Sequence, residues 1–114
     1  MDETMDPAGL MVDAKDIEAV PFEIPGATGG VFLIQVLNQD VARGVVTTIV
    51  HLPAGSRIPA HFHRGGPEMH YILEGDLIEA GEALGPGAFL THAAGTVHGV
   101  TSWLPVHDAG ACVA

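Results

Sequence analysis

The chain is poor in cysteine and in positive charge, and both shortages exclude whole classes of protein. Its 114 residues include 1 Cys, so no disulfide can form within the chain. Lys and Arg number 4 against 14 Asp and Glu, which gives a formal net charge of −10 with neutral histidines. Because a surface this acidic repels phosphate groups and anionic lipids, the composition argues against nucleic acids and membranes as partners.

Long apolar runs are also missing. The longest clear run, 31–37, is interrupted by Gln35 and falls far short of the ~20 residues that a membrane-spanning helix needs. The acidic start of the chain, Met1 to Thr4, lacks the apolar stretch of a secretory signal. We therefore expect a cytoplasmic protein, and its length fits one domain.

Glycine and proline are abundant instead, with 15 Gly and 8 Pro. They separate short runs that are rich in β-branched and aromatic residues, which predicts seven or eight short strands. No strong amphipathic helix is visible in the pattern. Such a sequence is typical of an all-β, antiparallel sandwich or barrel.

The first 18 residues differ from the rest, because they are polar, acidic and weakly patterned. We interpret 1–18 as an N-terminal arm, with one helical turn around 13–18 or an edge strand, and 19–114 as a single barrel domain. Within the barrel, the two runs on either side of Gly75 predict a hairpin. The segment 81–87, rich in Gly and Pro, is interpreted as a loop.

Histidine carries the strongest chemical signal, since the chain has 7 His and five of them fall within one third of its length. His61 and His63 stand at i and i+2, so on a strand both side chains share one face. Glu68 follows a glycine-rich loop, and His98 lies thirty residues further along. Three imidazoles and one carboxylate suit a divalent first-row metal: Fe, Mn, Ni, Cu or Zn.

Two further histidines lie close to this set in the sequence. His70 follows Glu68 by two residues and would share its face, so it is a candidate catalytic base. It could equally hold a metal ligand by a hydrogen bond, or be a satisfied histidine of the core. For His92, six residues before His98, the alternatives are the mouth of a cavity and the protein surface.

The spacing of these residues resembles the cupin superfamily. Gly55, His61-x-His63, Glu68 and Gly75 match every fixed position of the first cupin motif. The second motif is recognisable from Gly87 through Gly95 to His98, although Ala93 stands where proline is usual and Ser102 where asparagine is usual. The resemblance implies a small jelly-roll barrel, often dimeric, with a metal ion in the barrel mouth.

Within the cupins, the sequences around Gly55 and 65–68 look like a single-domain group. That group includes diketone-cleaving dioxygenases and the metal-binding cupin domain of ChrR-type anti-sigma factors. The dioxygenases hold iron mainly through three histidines, which match His61, His63 and His98. Glu68 is then either a ligand or a neighbour of the ligands.

The resemblance implies a homodimeric, mononuclear metal-dependent oxygenase that acts on a small enolisable or aromatic molecule, with iron as the first choice of metal. A non-catalytic sensor that binds a metal or ligand is one alternative. An isomerase or decarboxylase with a redox-silent metal is another. Cupins share the barrel and differ in activity, so the fold does not decide among these functions.

Overall fold

A computed structural model gives the fold and describes residues 9–61, 67–93, 98–102 and 106–113. At 60–61, 98–102, 106–107 and 109–113 it describes the backbone. Ten strands form within these ranges. They are β1 (Val20–Phe22), β2 (Phe32–Asp40), β3 (Val45–Leu52), β4 (Arg57–His61), β5 (Glu68–Glu74), β6 (Leu77–Glu79), β7 (Glu82–Leu84), β8 (Phe89–His92), β9 (His98–Ser102) and β10 (Val106–Val113).

The strands assemble into two sheets. The six-stranded sheet has the order β1-β2-β3-β10-β5-β8, and the four-stranded sheet has the order β4-β9-β6-β7. Neighbouring strands pair in the antiparallel sense. The predicted all-β, antiparallel class is confirmed. No helix in the described part of the chain has the length and hydropathy that crossing a membrane requires.

The core lies between the two sheets and follows from the alternation of side chains along the strands. Phe32, Leu52 and Ile72 from the six-stranded sheet meet Leu77 from the four-stranded sheet, and all four are buried. On β5, the inward face that carries Ile72 also carries two polar residues, Glu68 and His70. This alternation therefore places polar side chains inside the molecule, beside the apolar core.

The hairpin expected at Gly75 is wrong. β5 pairs with β10 and β8, whereas β6 pairs with β7 and β9, so the chain crosses from one sheet to the other at Gly75. The crossing lets Ile72 and Leu77 face each other within the core. The hairpin lies one turn later, between β6 and β7, at Ala80 and Gly81 with φ of 51° and 81°. Part of the expected loop 81–87 is therefore strand β7.

Residues 14–17 pack on the outer face of the six-stranded sheet. Ala14–Asp16 form a short 3₁₀ turn, which agrees with the helical alternative for this segment. The Gln35 side chain donates hydrogen bonds to the carbonyl oxygens of Ala14 and Ile17, both at 2.7 Å. Its Oε1 lies 2.8 Å from Nε2 of His51. A single carboxamide thus ties the arm to β2 and β3.

The loop before β2 holds the start of β4 in place. Thr28 and Arg57 exchange two backbone hydrogen bonds of 3.0 and 2.9 Å. At Gly29, with φ of 107°, an added Cβ would lie 2.5 Å from the Cα of buried Ser56. Gly29 therefore allows a backbone contact that no larger residue permits, and this contact positions the strand that ends at His61.

We expect Gly29→Ala to lower the free energy of unfolding substantially, because the new methyl group meets backbone that cannot move aside. Gly55→Ala is the matched control, since Gly55 also has positive φ, 72°, but an added Cβ meets nothing within 4 Å. Gly29→Ala should lose about 1–3 kcal/mol more than the control, the usual range for overpacking. Urea denaturation of both variants measures the difference, and equal losses would contradict the close-packing argument.

Candidate metal centre

Three potential metal ligands converge on the inner face of the six-stranded sheet. Glu68, His70 and His92 each offer one ligand atom, and these atoms lie within 4.8 Å of one another. Glu68 and His92 are register partners on β5 and β8, and His70 is two residues along β5. Glu68 and His92 are buried, and the His70 side chain is 22% exposed. Cross-strand pairing and alternation together build the group.

Both imidazoles approach the same carboxylate oxygen. Oε1 of Glu68 lies 3.1 Å from Nε2 of His70 and 3.2 Å from Nδ1 of His92. The two rings are nearly perpendicular, at 70°, with centroids 5.8 Å apart. They therefore reach Glu68 from different directions, as the ligands of one ion do.

A second carboxylate holds the far side of each ring. Nδ1 of His70 lies 2.7 Å from Oδ2 of Asp108, and Nε2 of His92 lies 2.7 Å from Oε2 of Glu79. Asp108 comes from β10, beside β5, whereas Glu79 comes from β6 in the opposite sheet. Such outer carboxylates fix the tautomer and orientation of metal-binding histidines and raise their basicity.

The carboxylates also change the protonation of His70. Burial alone would lower its pKa, but the hydrogen bonds to Asp108 and Glu68 and the charges of both carboxylates raise the pKa from 6.5 to about 10. In metal-free protein at neutral pH, the His70 ring is therefore an imidazolium that donates to both oxygens. A positive charge is thus stabilised at this position.

The donor set fits a transition-metal ion. One carboxylate oxygen and two imidazole nitrogens are ligands that Fe, Mn, Ni, Cu and Zn accept. A dication would supply the positive charge that the His70 proton provides in the metal-free protein. These residues can therefore hold a metal ion, as the cofactor prediction requires; the identity of the metal stays a prediction.

The predicted ligand set overlaps this group at Glu68. His61 and His98 are register partners where β4 pairs with β9, so the backbone brings these two positions side by side. β9 also pairs with β6, the strand of Glu79. His63 lies outside the described residues. The assignment of His61, His63, Glu68 and His98 as ligands, and of His70 as the catalytic residue, stays a prediction.

The sequence places His92 either at the mouth of a cavity or at the protein surface, and the structure buries it. One signal pointed inward: Ala88, Leu90 and His92 alternate along one run, and the first two pack against the core. The partnership of His92 with Glu68 had no local signal, because the register of β5 against β8 depends on the whole fold.

The raised pKa of His70 predicts how stability depends on pH in chelator-treated protein. Below pH 6.5 the ring is protonated in both the folded and unfolded states, so its stabilising contribution is complete. As pH rises to about 10 this contribution disappears, with a slope of up to about 1.4 kcal/mol per pH unit.

The measurement is urea denaturation of wild type and His70→Gln between pH 6 and 10. The variant should lose the slope, so the difference between the two proteins should shrink steadily as pH rises. Subtracting one protein from the other removes the titration of lysine, tyrosine and cysteine, which both proteins share. A difference that does not change with pH would contradict the assigned protonation.

Comparison with known proteins identifies the fold. The family model for the ChrR cupin-like domain matches residues 8–108. No significant match was found among curated protein sequences. Many solved structures resemble the chain.

Two of the similar structures carry the name acetylacetone dioxygenase. One, provisionally so named, is from Methylibium petroleiphilum PM1, with a TM-score of 0.82, 18% identity and coverage of 99% of this chain and 81% of that chain. The other is from Acinetobacter johnsonii, with a TM-score of 0.75, 19% identity and coverage of 99% and 78%. At this identity the likeness shows the fold, and it confirms the predicted jelly-roll barrel.

A third similar chain comes from the Rhodobacter sphaeroides complex of SigE with the anti-sigma ChrR. Its TM-score is 0.62 at 20% identity, and the match covers 73% of this chain and 44% of that chain. The family match spans nearly the whole chain, and the fold agrees with it. The chain therefore belongs to the family of ChrR cupin-like domains.

Proposed function

We propose that the protein is a mononuclear, metal-dependent oxygenase that acts on a small enolisable or aromatic molecule, with iron as its metal. The observation that supports this proposal most is the convergence of His70 and His92 on Glu68. The outer nitrogen of each ring also contacts a second carboxylate. The substrate class follows the names of two similar structures, both acetylacetone dioxygenases.

Glu68 is central to the proposed ligand set, because it belongs both to the predicted set and to the group that the structure assembles. His61, His63 and His98 complete the predicted set. The pairing of positions 61 and 98 supports it, since two ligands on adjacent strands can reach one ion. His70 and His92 then line the same centre beside Glu68.

Once bound, the ion would supply Lewis acidity and redox chemistry toward a substrate that chelates through two oxygens. In the neutral ring, Asp108 would accept the Nδ1 proton of His70, which would leave Nε2 as the basic atom facing Glu68. This role needs a neutral ring, and a nearby dication favours it because it repels the imidazolium. His70 would then take the proton that leaves the substrate carbon.

A sensor role is the second candidate, because the family model is that of ChrR and a similar chain comes from an anti-sigma complex. In that case the metal centre would respond to a ligand and a protein partner would read the response. A redox-silent isomerase or decarboxylase is a third possibility, and oxygen-uptake assays distinguish it from the oxygenase. The homodimer and the cytoplasmic location remain predictions.

Metal content tests the site directly. Untagged protein purified without chelator should carry about one ion per chain. Glu68→Gln and His98→Ala should abolish binding, because each removes one ligand of the proposed set. His51→Ala is the matched control, since His51 bonds to Gln35 on the outer face.

Mass spectrometry of the metal, together with titration of apo-protein, gives these values. Full occupancy in Glu68→Gln would exclude the proposed centre. Loss of metal in His92→Ala together with retention in His98→Ala would show that the ligands are Glu68, His70 and His92 and that the predicted histidines are not.

Oxygen uptake tests the reaction. Iron-loaded protein should consume oxygen in proportion to a cleaved 1,3-diketone, and zinc-loaded protein should be inactive. His70→Gln should lower kcat by about 100-fold or more while it keeps its metal, as expected for loss of a general base.

Turnover without oxygen, or with zinc, would contradict the oxygenase and indicate the redox-silent alternative. No turnover across the diketone and aromatic panel, with a stable protein partner recovered, would favour the sensor.

A further inference from the structure

A row of potential metal ligands crosses the outer face of the six-stranded sheet, apart from the candidate metal centre. At His107 the structure describes the backbone of β10, which pairs this residue with His51 of β3 and with Glu74 of β5. Register partners in an antiparallel pair share one face of the sheet. The fold therefore places these three residues side by side on adjacent strands, and we call them the outer row.

A β-bulge gives Glu74 its place in the outer row. Simple alternation along β5 would put Glu74 on the inner face with Ile72, but the register shifts between His107 and Asp108. Ile72 is paired with Asp108, whereas Glu74 is paired with His107. Bulges re-aim side chains in this way. The exposure of Glu74 agrees with a position outside the core.

The tautomer of His51 is set by Gln35. The side-chain nitrogen of Gln35 donates to two backbone carbonyl oxygens, those of Ala14 and Ile17. Its oxygen Oε1 is therefore the atom that lies 2.8 Å from Nε2 of His51, so Nε2 carries the proton and donates it. The neutral ring then has its lone pair on Nδ1. Metal-binding histidines are held in the same way, with the other ring N–H donated to a carbonyl oxygen.

The spacing of the strands suits a single ion. Neighbouring strands lie about 4.8 Å apart, so His51 and Glu74 stand roughly 10 Å apart with His107 between them. An ion over the middle strand would be about 5 Å from each of the two outer backbones. A histidine or glutamate side chain, together with a metal–ligand bond of about 2.0–2.2 Å, can span that distance.

We propose that the outer row is a second cation site, in which Nδ1 of His51, the imidazole of His107 and the carboxylate of Glu74 bind a divalent ion such as Zn²⁺. Two imidazoles and one carboxylate are a donor set that zinc accepts, with water in the fourth position. The net charge of −10 attracts cations to the surface. This site is independent of the proposed reaction.

The two sites differ in how far water competes for the ion. Glu68 of the candidate centre is buried, whereas His51 is half-buried and Glu74 is exposed. The outer row therefore binds the weaker ion and fills when zinc is added. The ion that the protein retains through purification is the central one.

Zinc titration of the chelator-treated full chain tests the proposal. Wild type should bind two ions per chain, and Glu68→Gln, which lacks the central ion, should bind one. In that background His51→Ala, His107→Ala and Glu74→Gln should each abolish the remaining ion, because each removes one ligand. Glu23→Gln is the matched control for charge, since Glu23 is an exposed carboxylate in the loop after β1 and should leave zinc binding unchanged.

A fourth variant tests the role of the hydrogen bond behind His51. Gln35→Leu keeps all three ligands but removes the bond that fixes the tautomer, so zinc affinity at the outer row should fall by about 10–100-fold. Isothermal titration calorimetry gives the number of ions and their affinities, and circular dichroism confirms that the variants are folded. An unchanged affinity in Gln35→Leu would contradict the assigned tautomer and with it the proposal.

The number of ions keeps this proposal separate from that of the central site. If Glu68→Gln still binds two ions, and substitution in the outer row leaves one, the outer row is confirmed although the proposed centre fails. The absence of a second ion in wild type would overturn the outer row. An ion in Glu68→Gln that survives all three substitutions would overturn it as well.

Discussion

The burial of carboxylates beside histidines is the constraint on which the rest of the site depends. Glu68 and Asp108 are buried, and a buried charge needs a partner of opposite sign. The chain has only 4 Lys and Arg, and Lys15 and Arg43 pair with aspartates elsewhere. The His70 imidazolium, which contacts both carboxylates, supplies that charge in the metal-free protein. A cluster balanced by a titratable ring can exchange the ring's proton for a metal cation.

The same cluster joins the two sheets. The contact between His92 and Glu79 spans from β8 to β6, whereas the core contact between Ile72 and Leu77 spans the same gap with apolar groups. Residues of the candidate metal centre and residues of the apolar core therefore bridge the same two sheets. An ion held by His92 would therefore fix the distance between the sheets, and its binding energy would add to the stability of the barrel.

The sequence predicted what depends on local pattern. Alternation along β5 correctly placed His70 on the face of Glu68, and the spacing of glycines and histidines led to the cupin family. The features that the sequence did not predict depend on contacts between distant parts of the chain. The partnership of Glu68 with His92 and the crossing at Gly75 depend on which strands pair, and a turn sequence fits a hairpin and a crossing equally well. The ligand set of His61, His63 and His98 remains a prediction from the motif.

Strand β5 carries residues of the candidate metal centre on one face and exposed apolar residues on the other. Its inward residues, Glu68 and His70, belong to the candidate metal centre, and its outward residues, Met69 and Tyr71, are exposed on the other face of the sheet. Because successive side chains of a strand alternate, whatever packs against the outer face restrains the backbone that positions the inner one. A catalytic group must be held to within about half an ångström, and a rigid strand does this better than a loop.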